Sequence, residues 1–216
     1  GFAALKKDRA KHRAEMRQRF GIDEDAIVIQ WSVALDLDDP EQDKPGHSEW
    51  SGFYEAESIK EFLMAVRDAA ADTGALHKIR GVIRQKPTYK GVRIQEMIRE
   101  ICPSVIFDNG RDTGYPLILA SDIVVGAVTM MVQNAAMLGV PGFNYLPDLC
   151  KPVDLIANKL GFTTPMDTRG DLGRLIQNAA NWFSLAENLT KFAKPIDLQT
   201  DATGNVVKAI RDFLDR

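Results

Sequence analysis

The chain has 216 residues, of which 45% are hydrophobic and 26% are charged, a composition typical of a globular protein with a sizeable core. Its formal net charge of −3 gives no general attraction for nucleic acid, and no apolar run is long enough to span a membrane. Residues 1–21 lack the apolar core of a signal peptide, so we expect a cytoplasmic protein.

Cysteine and histidine give no sign of a metal centre. The two cysteines, Cys102 and Cys150, lie outside any zinc-type or redox-type array, and we expect reduced thiols. The three histidines, His12, His47 and His77, are too scattered along the chain to suggest a set of metal ligands. We therefore predict neither a bound metal nor a permanent cofactor.

The first predicted element is a strongly charged helix over residues 3–20, which ends at Gly21. Because so polar a helix cannot build a core of its own, we interpret residues 1–21 as a lead-in helix or interdomain linker. A solvated surface helix is the alternative. Residues 22–216 then form a single Rossmann-like domain.

Strands and helices alternate after this segment. The apolar, β-branched run 26–34 predicts a buried strand, and a long polar loop follows it. Ser58 and Gly74 are the predicted N-cap and C-terminal stop of the next helix. The other predicted strands are 79–83, 104–107, 122–127 and 140–146, and the other predicted helices are 93–101, 116–121, 129–139, 152–160, 171–188 and 205–216. This alternation predicts an α/β fold, a doubly wound and mostly parallel sheet with helices on both faces.

The turn at residues 126–129 is the first candidate for a ligand site. Small residues there let backbone N–H groups point outward at a helix N-terminus, an arrangement that holds a phosphate or diphosphate. The Thr129 hydroxyl can bond to a phosphate, and Gln133 and Asn134 follow one turn later on the same helix. The alternative is an ordinary strand–turn–helix unit in which Gly126 serves the turn and Thr129 caps the helix.

Strand ends supply the second candidate group. Open α/β sheets bind ligands at the carboxyl ends of their strands. Arg84 and Lys86 directly follow the predicted strand 79–83, where their charges can neutralise a diphosphate, and a solvated basic loop is the alternative. Ser32, at the end of the first strand, can reach the same ligand.

A third pattern, Asp36-Leu37-Asp38, follows the first strand. A strand that ends in D-x-D resembles the first motif of haloacid-dehalogenase-like phosphatases, where one aspartate is the nucleophile and the other a general acid beside Mg²⁺. Pro40 stands at the position where that motif has threonine or valine. The alternative is an acidic, solvated loop.

The longest resemblance lies in residues 120–141. The run Ala120-Ser121-Asp122-Ile123-Val124-Val125-Gly126, followed by Ala135-Ala136 and then Leu138-Gly139-Val140-Pro141, resembles the C-terminal half of GT-B-type glycosyltransferases and of the related UDP-N-acetylglucosamine 2-epimerases. The entry at residues 19–32 and the closing helix at 204–214 are similar to that half as well.

The resemblance implies that this domain binds the nucleotide-sugar donor of a glycosyl-transfer enzyme. A UDP-sugar is the first candidate for that donor. It implies donor contacts from Arg84 and Lys86, where Lys86 replaces a histidine of the family motif. Gln133 or Asn134 stands where the family has an acidic residue for the ribose, and neutral amides can also bond to a diol.

The resemblance also implies a partner. The cleft of these enzymes lies between two halves, so an N-terminal acceptor domain is missing from this chain and would supply the catalytic base. We name no catalytic residue here. The alternative from another functional class is a non-catalytic nucleotide-binding or interaction module.

Overall fold

The chain is described from a computed structural model, which covers residues 5, 7–48, 52, 54–72, 74–75, 78–111, 114–148 and 155–181. The predicted helix 205–216, the end of the predicted helix 171–188, His77 and Cys150 lie outside the described residues. Within the described part of the chain, no helix is both long and apolar enough to cross a membrane.

A six-stranded, wholly parallel sheet forms the centre of the molecule, in the order β3-β2-β1-β4-β5-β6. The strand order reverses between β1 and β4: β2 and β3 follow β1 toward one edge of the sheet, and β5 and β6 follow β4 toward the other. The strands are β1 (Ile27–Ser32), β2 (Ile79–Arg84), β3 (Ile106–Asp108), β4 (Ile123–Gly126), β5 (Gly142–Tyr145) and β6 (Thr164–Met166).

Helices connect these strands and cover the sheet on both faces, as parallel pairing requires. Their bounds are α1 (Arg9–Phe20), α2 (Glu55–Ala71), α3 (Val92–Ile101), α4 (Gly114–Ala120), α5 (Met130–Leu138), α6 (Ile156–Lys159) and α7 (Asp171–Ala180). The doubly wound, parallel α/β fold predicted from the sequence is therefore confirmed.

Alternating side chains of the strands build two separate cores. In β1, Ile27, Ile29 and Trp31 face one side, where they join the apolar stripes of α2, α3 and α7. Val28 of the same strand faces the other side and packs in a cluster with Leu117 of α4. Strands buried on both faces explain the continuous apolar run in the sequence.

The ends of α2 differ from the prediction. The helix begins at Glu55 and not at Ser58, because the carboxylate of Asp43 accepts hydrogen bonds from the backbone N–H groups of Glu55 (2.7 Å) and Ala56 (3.0 Å). A side chain from the preceding loop therefore replaces the local N-cap. Ser58 is buried within the helix, which ends at Ala71 before the predicted stop at Gly74.

The sheet also has a strand that the sequence did not predict. Residues Thr164–Met166 form β6 and pair with β5, although Pro165 lies at the centre of the strand. Proline is tolerated here because β6 is the last strand in the sheet order, where one side needs no ladder hydrogen bonds.

Helix α1 is held to the amino-terminal edge of the sheet by arginine side chains. Arg13 and Arg17 donate to opposite oxygens of Asp122, at 2.8 and 2.9 Å, and the backbone N–H of Val28 donates to the same carboxylate at 2.8 Å. Arg17 is only 3% exposed and also donates to three backbone carbonyls, those of Asp23, Glu24 and Ala26. The polar sequence of α1 is therefore explained in part by arginines that bond to Asp122 and to backbone carbonyls of the domain.

Candidate functional site

A cleft of about 340 Å³ opens at the carboxyl-terminal edge of the sheet, where the strand order reverses between β1 and β4. This is the place at which open α/β sheets usually bind their ligands. Three segments line it: residues 32–34 after β1, residues 84–87 after β2, and residues 128–131 at the start of α5.

The floor of the cleft lies where β1 and β4 run side by side. Ser32 and Gly126 are register partners at the ends of these strands. A β-carbon on Gly126 would come within 2.8 Å of the Ser32 carbonyl oxygen and 2.6 Å of the Thr129 methyl group. Glycine is needed here because the backbone of β4 approaches both neighbours too closely for a side chain.

Thr129 caps the helix that faces the cleft. Its extended backbone precedes α5, and its hydroxyl oxygen accepts a hydrogen bond from the N–H of Met131 at 3.3 Å. The N-terminus of α5 carries partial positive charge toward the cleft. Thr129 is therefore the N-cap of α5, as the alternative interpretation of the sequence predicted. Because the hydroxyl oxygen accepts this hydrogen bond, its proton can still be donated to a ligand in the cleft.

Arg84 is buried beside the cleft and already has an acidic partner. Arg84 and Asp108 end the neighbouring strands β2 and β3 as register partners, and the guanidinium of Arg84 donates to the Asp108 carboxylate. A second guanidinium nitrogen lies 3.4 Å from the carbonyl oxygen of Gly110. The charge of Arg84 is therefore largely balanced by Asp108 within the protein.

Lys86 presents an exposed ammonium group at the rim of the cleft. Its Nζ donates to the hydroxyl of Tyr89 at 3.0 Å and lies 5.2 Å from the centre of that ring. The Tyr89 hydroxyl in turn donates to the carbonyl oxygen of Ala34 at 3.4 Å. Through Tyr89, the side chain of Lys86 is connected to Ala34 on the opposite wall of the cleft. This contact restricts its rotamers, so ordering the side chain would cost less conformational entropy.

A buried carboxylate supports that wall from behind. Glu55 is 1% exposed, and its two oxygens accept hydrogen bonds from the backbone N–H groups of Ala34 (2.9 Å) and Leu35 (2.7 Å). Burial raises the pKa of Glu55 to about 7, and the nearby negative charge of Asp43 adds to the rise. The wall that contains Ala34 is therefore held by a group that titrates near neutral pH.

The structure brings together four of the predicted donor-binding residues, which line the cleft: Ser32, Arg84, Lys86 and Thr129. Gly126 lies directly beneath them through its contacts with Ser32 and Thr129. Gln133 and Asn134 are half-buried one turn further along α5 and are not among the residues that line the cleft. Their contact with a ribose stays a prediction.

Asp108 was missed by sequence reasoning, although it is the main partner of Arg84. The signal was present, because residues 105–108 form an apolar run that ends in an acidic residue. When two neighbouring parallel strands end in side chains of opposite charge, an ion pair is expected at the carboxyl edge of the sheet.

The D-x-D pattern has structural roles here. Both oxygens of Asp38 accept hydrogen bonds from the N-terminus of α3, from the N–H groups of Val92 (2.9 Å) and Arg93 (2.8 Å). Asp36 accepts the N–H of Asp38 at 3.2 Å, as in a local turn. The described residues contain no cluster of three or more histidine, cysteine, aspartate or glutamate side chains that could hold a metal ion.

The residues that line the cleft supply mainly hydrogen-bond donors and positive charge. The lining offers a lysine, an arginine, two hydroxyl groups and the N-terminus of a helix, and the lining residues include no carboxylate or imidazole. Such groups bind and orient a phosphate-bearing ligand without themselves supplying a strong base.

Comparison with solved structures finds this fold in larger proteins. The S. aureus MnaA–UDP co-structure matches with a TM-score of 0.60 and 11% identity, over 93% of this chain and 48% of that chain. A variant of the wall teichoic acid polymerase TagF matches with a TM-score of 0.50 and 14% identity, over 85% of this chain and 41% of that chain. A second TagF variant, soaked with CDPG, matches with a TM-score of 0.50 and 11% identity, over 85% of this chain and 39% of that chain.

The chain therefore spans less than half the length of each of these proteins. No protein-family model matches it, and no curated protein matches it. The resemblance to one half of the GT-B-type proteins, which the sequence motifs predicted, is confirmed at the level of the fold.

Proposed function

We propose that this chain is the donor-binding domain of a glycosyltransferase and that its cleft binds a nucleotide-diphospho-sugar. The observation that carries the proposal is the meeting of Lys86, Thr129 and the N-terminus of α5 around Ser32, at the switch point of the sheet. Each of these groups stabilises negative charge, and together they match the oxygens of a diphosphate.

The balance of charge favours a diphosphate over an isolated cation or a neutral sugar. Arg84 and Asp108 nearly cancel, whereas Lys86 and the helix N-terminus leave the cleft with net positive potential. A volume of about 340 Å³ is at the lower end for ligand sites, which suits a diphosphate with part of its nucleoside.

UDP is the first nucleotide to test. The MnaA structure with this fold is described as a complex with UDP, and fold similarity makes the same class of ligand a reasonable starting point here. The proposal for this chain depends on its own cleft, since the two sequences share only 11% identity.

Glycosyl transfer would need a second domain. The lining of the cleft has no carboxylate or imidazole that would act as a general base toward an acceptor. We place that base on an N-terminal acceptor domain that closes over the cleft. The same observation favours the second candidate, a module that binds the nucleotide without catalysing transfer.

Calorimetric titration of the chain with UDP, CDP, GDP and ADP tests the proposal. We expect micromolar binding of one diphosphate, and we expect Lys86→Ala to weaken it about tenfold through the loss of a charge-assisted hydrogen bond. Lys90→Ala is the matched control, because Lys90 lies on the same loop but lines a different, outer groove. Absence of binding to all four nucleotides, or equal effects of the two lysine variants, would reject this function for the chain.

Transfer distinguishes the two candidates. A chain that binds UDP and gains sugar transfer when combined with the matching N-terminal half is a donor domain. A chain that binds UDP equally well but supports no transfer with that half is a binding module.

A further inference from the structure

A chain of buried polar side chains runs beneath the cleft floor. Gln30, Ser32 and Ser121 are each at most 1% exposed, on the face of the sheet that α4 and α5 cover. Buried polar groups of this kind are costly unless each has a partner, so their hydrogen bonds define their orientation.

The carboxamide of Gln30 connects the two serines. Its Nε2 donates to the Ser32 hydroxyl oxygen at 2.8 Å, and its Oε1 lies 3.2 Å from the Ser121 hydroxyl. The Ser121 hydroxyl also lies 2.8 Å from the carbonyl oxygen of Leu117. The amide nitrogen of Gln30 therefore bonds to Ser32, which lines the cleft, and its carbonyl oxygen lies toward Ser121.

This orientation fixes what Ser32 can offer. A hydroxyl group has one proton to donate and lone pairs that accept. Because the Ser32 oxygen accepts from Gln30, its own proton is directed away from Gln30 and can donate to a ligand in the cleft that Ser32 lines. A hydroxyl that already accepts a hydrogen bond is also a stronger donor, since such chains polarise one another.

We infer that Gln30 is a positioning residue that sets Ser32 as a hydrogen-bond donor to a non-bridging phosphate oxygen in the cleft. The inference rests on the proposed function, which supplies the diphosphate. It adds a neutral donor at the floor, opposite Lys86 at the rim, and it gives the buried Gln30 a role that strand packing alone does not require.

The position of Ser32 explains why a neutral donor suits this point. Ser32 lies at the β1–β4 junction beside Gly126, where a β-carbon on Gly126 would come within 2.8 Å of the Ser32 carbonyl oxygen, so the two backbones approach closely. A short hydroxyl fits that space. Its proton must be aimed by the protein, because an unaimed hydroxyl can equally well present a lone pair to the anion.

A double-mutant cycle with UDP as the probe tests the inference. We expect Ser32→Ala and Gln30→Met each to weaken UDP binding about three- to tenfold, the usual range for one hydrogen bond. The double variant should bind no more weakly than either single variant, because both remove the same donor. Ser58→Ala is the matched control for Ser32→Ala, because Ser58 is a buried serine in α2. Gln177→Met, at an exposed glutamine of α7, controls for the Gln→Met change away from the cleft.

Gln30→Glu, measured with and without Ser32→Ala, separates the aiming of the Ser32 proton from packing and from direct repulsion between the new carboxylate and UDP, because only aiming requires Ser32. An ionised carboxylate at this position accepts the Ser32 proton and turns it away from the cleft, so UDP binding should fall at pH 8. Burial raises the pKa of such a carboxyl, and its protonated form donates as the amide does. The affinity of Gln30→Glu relative to the wild type, taken at each pH, should therefore recover as the pH is lowered to 6.

The outcomes are distinct. If the wild type binds no UDP, both the proposed function and the inference fail. If the wild type binds UDP and either Ser32→Ala or Gln30→Met binds it as tightly as the wild type does, the inference alone is rejected. It is also rejected if the effects of the two substitutions add in the double variant. Loss in Gln30→Glu without recovery at low pH would also reject it, since that is the result for a purely structural role or for an amide turned the other way.

Discussion

The two edges of the sheet use the same kind of side chains in opposite ways. At the amino-terminal edge, Asp122 receives Arg13, Arg17 and the Val28 N–H, and all of these contacts lie within the protein. At the carboxyl-terminal edge, Arg84 pairs with Asp108, but Lys86 beside it lies at the rim of an open cleft.

The difference separates charge that is paired within the protein from charge that faces an open cleft. The amino-terminal cluster has more cations than anions, yet four backbone carbonyls accept further hydrogen bonds from Arg13 and Arg17. At the other edge the donors are fewer and part of them face a space large enough for a ligand. The presence of arginine at a strand end is therefore poor evidence of a site unless its donors have somewhere outside the protein to point.

The same substitution at both edges would test this comparison, and the amino-terminal edge should show the largest effect. Asp122→Asn removes the negative charge between two arginines and turns one acceptor oxygen into a donor that faces them. We expect a loss of about 3–5 kcal/mol in the free energy of unfolding, as for other broken buried ion pairs. Urea unfolding measures the loss, and UDP affinity of the folded fraction should not change.

The wall of the cleft should show an intermediate effect that depends on pH. The folded-state pKa of Glu55 is raised to about 7 from 4.5, so the folded protein holds this proton where the unfolded chain has released it. The free energy of unfolding should therefore fall by about 3 kcal/mol as the pH rises from about 4.5 to 7, through this group alone. Glu55→Gln should remove that slope.

The control for this prediction is on the same helix. Glu57 is half-exposed and pairs with Lys60, and Glu57→Gln should keep the pH slope of the wild type. The measurement is urea unfolding at several pH values for all three proteins. A Glu55→Gln variant with an unchanged slope would show that Glu55 is not the group that titrates.

Asp108→Asn should have the smallest effect on stability and the opposite effect on binding. The side chains of Arg84 and Asp108 are 10% and 9% exposed, but Arg84 lines the cleft, where water can replace the lost partner. We expect a loss of about 1–2 kcal/mol in the free energy of unfolding. UDP should bind severalfold more tightly, because the cleft gains one positive charge. Equal losses of stability for Asp108→Asn and Asp122→Asn would contradict the comparison of the two edges.

The sequence predicted the features that depend on periodicity and on strand ends. Alternation of apolar strands with amphipathic helices was enough for the parallel sheet, and the rule that ligands bind at carboxyl strand ends was enough to bring Ser32, Arg84 and Lys86 to one cleft. The cap at Thr129 was also predicted, because it depends on the residue type and its position before an apolar helix.

Features that depend on contacts between distant segments were not predicted. Asp43 caps α2 from the preceding loop, so the local signal at Ser58 gave the wrong start for the helix. Arg17 pairs with Asp122 across the whole first half of the domain, which no local pattern can reveal. Gln133 and Asn134 lie further along α5, outside the lining of the cleft, and their contact with a ribose stays a prediction.

The β1–β4 pairing has a consequence for how the protein folds. Ile29 pairs with Ile123, so the centre of the sheet joins parts of the chain that are far apart in sequence, a topology that folds slowly. Ser32 and Arg84 belong to the first of these parts, and Gly126 and Thr129 belong to the second. The proposed anion site therefore exists only when the two parts have joined. A ligand bound in the cleft would stabilise the completed sheet over any half-assembled intermediate.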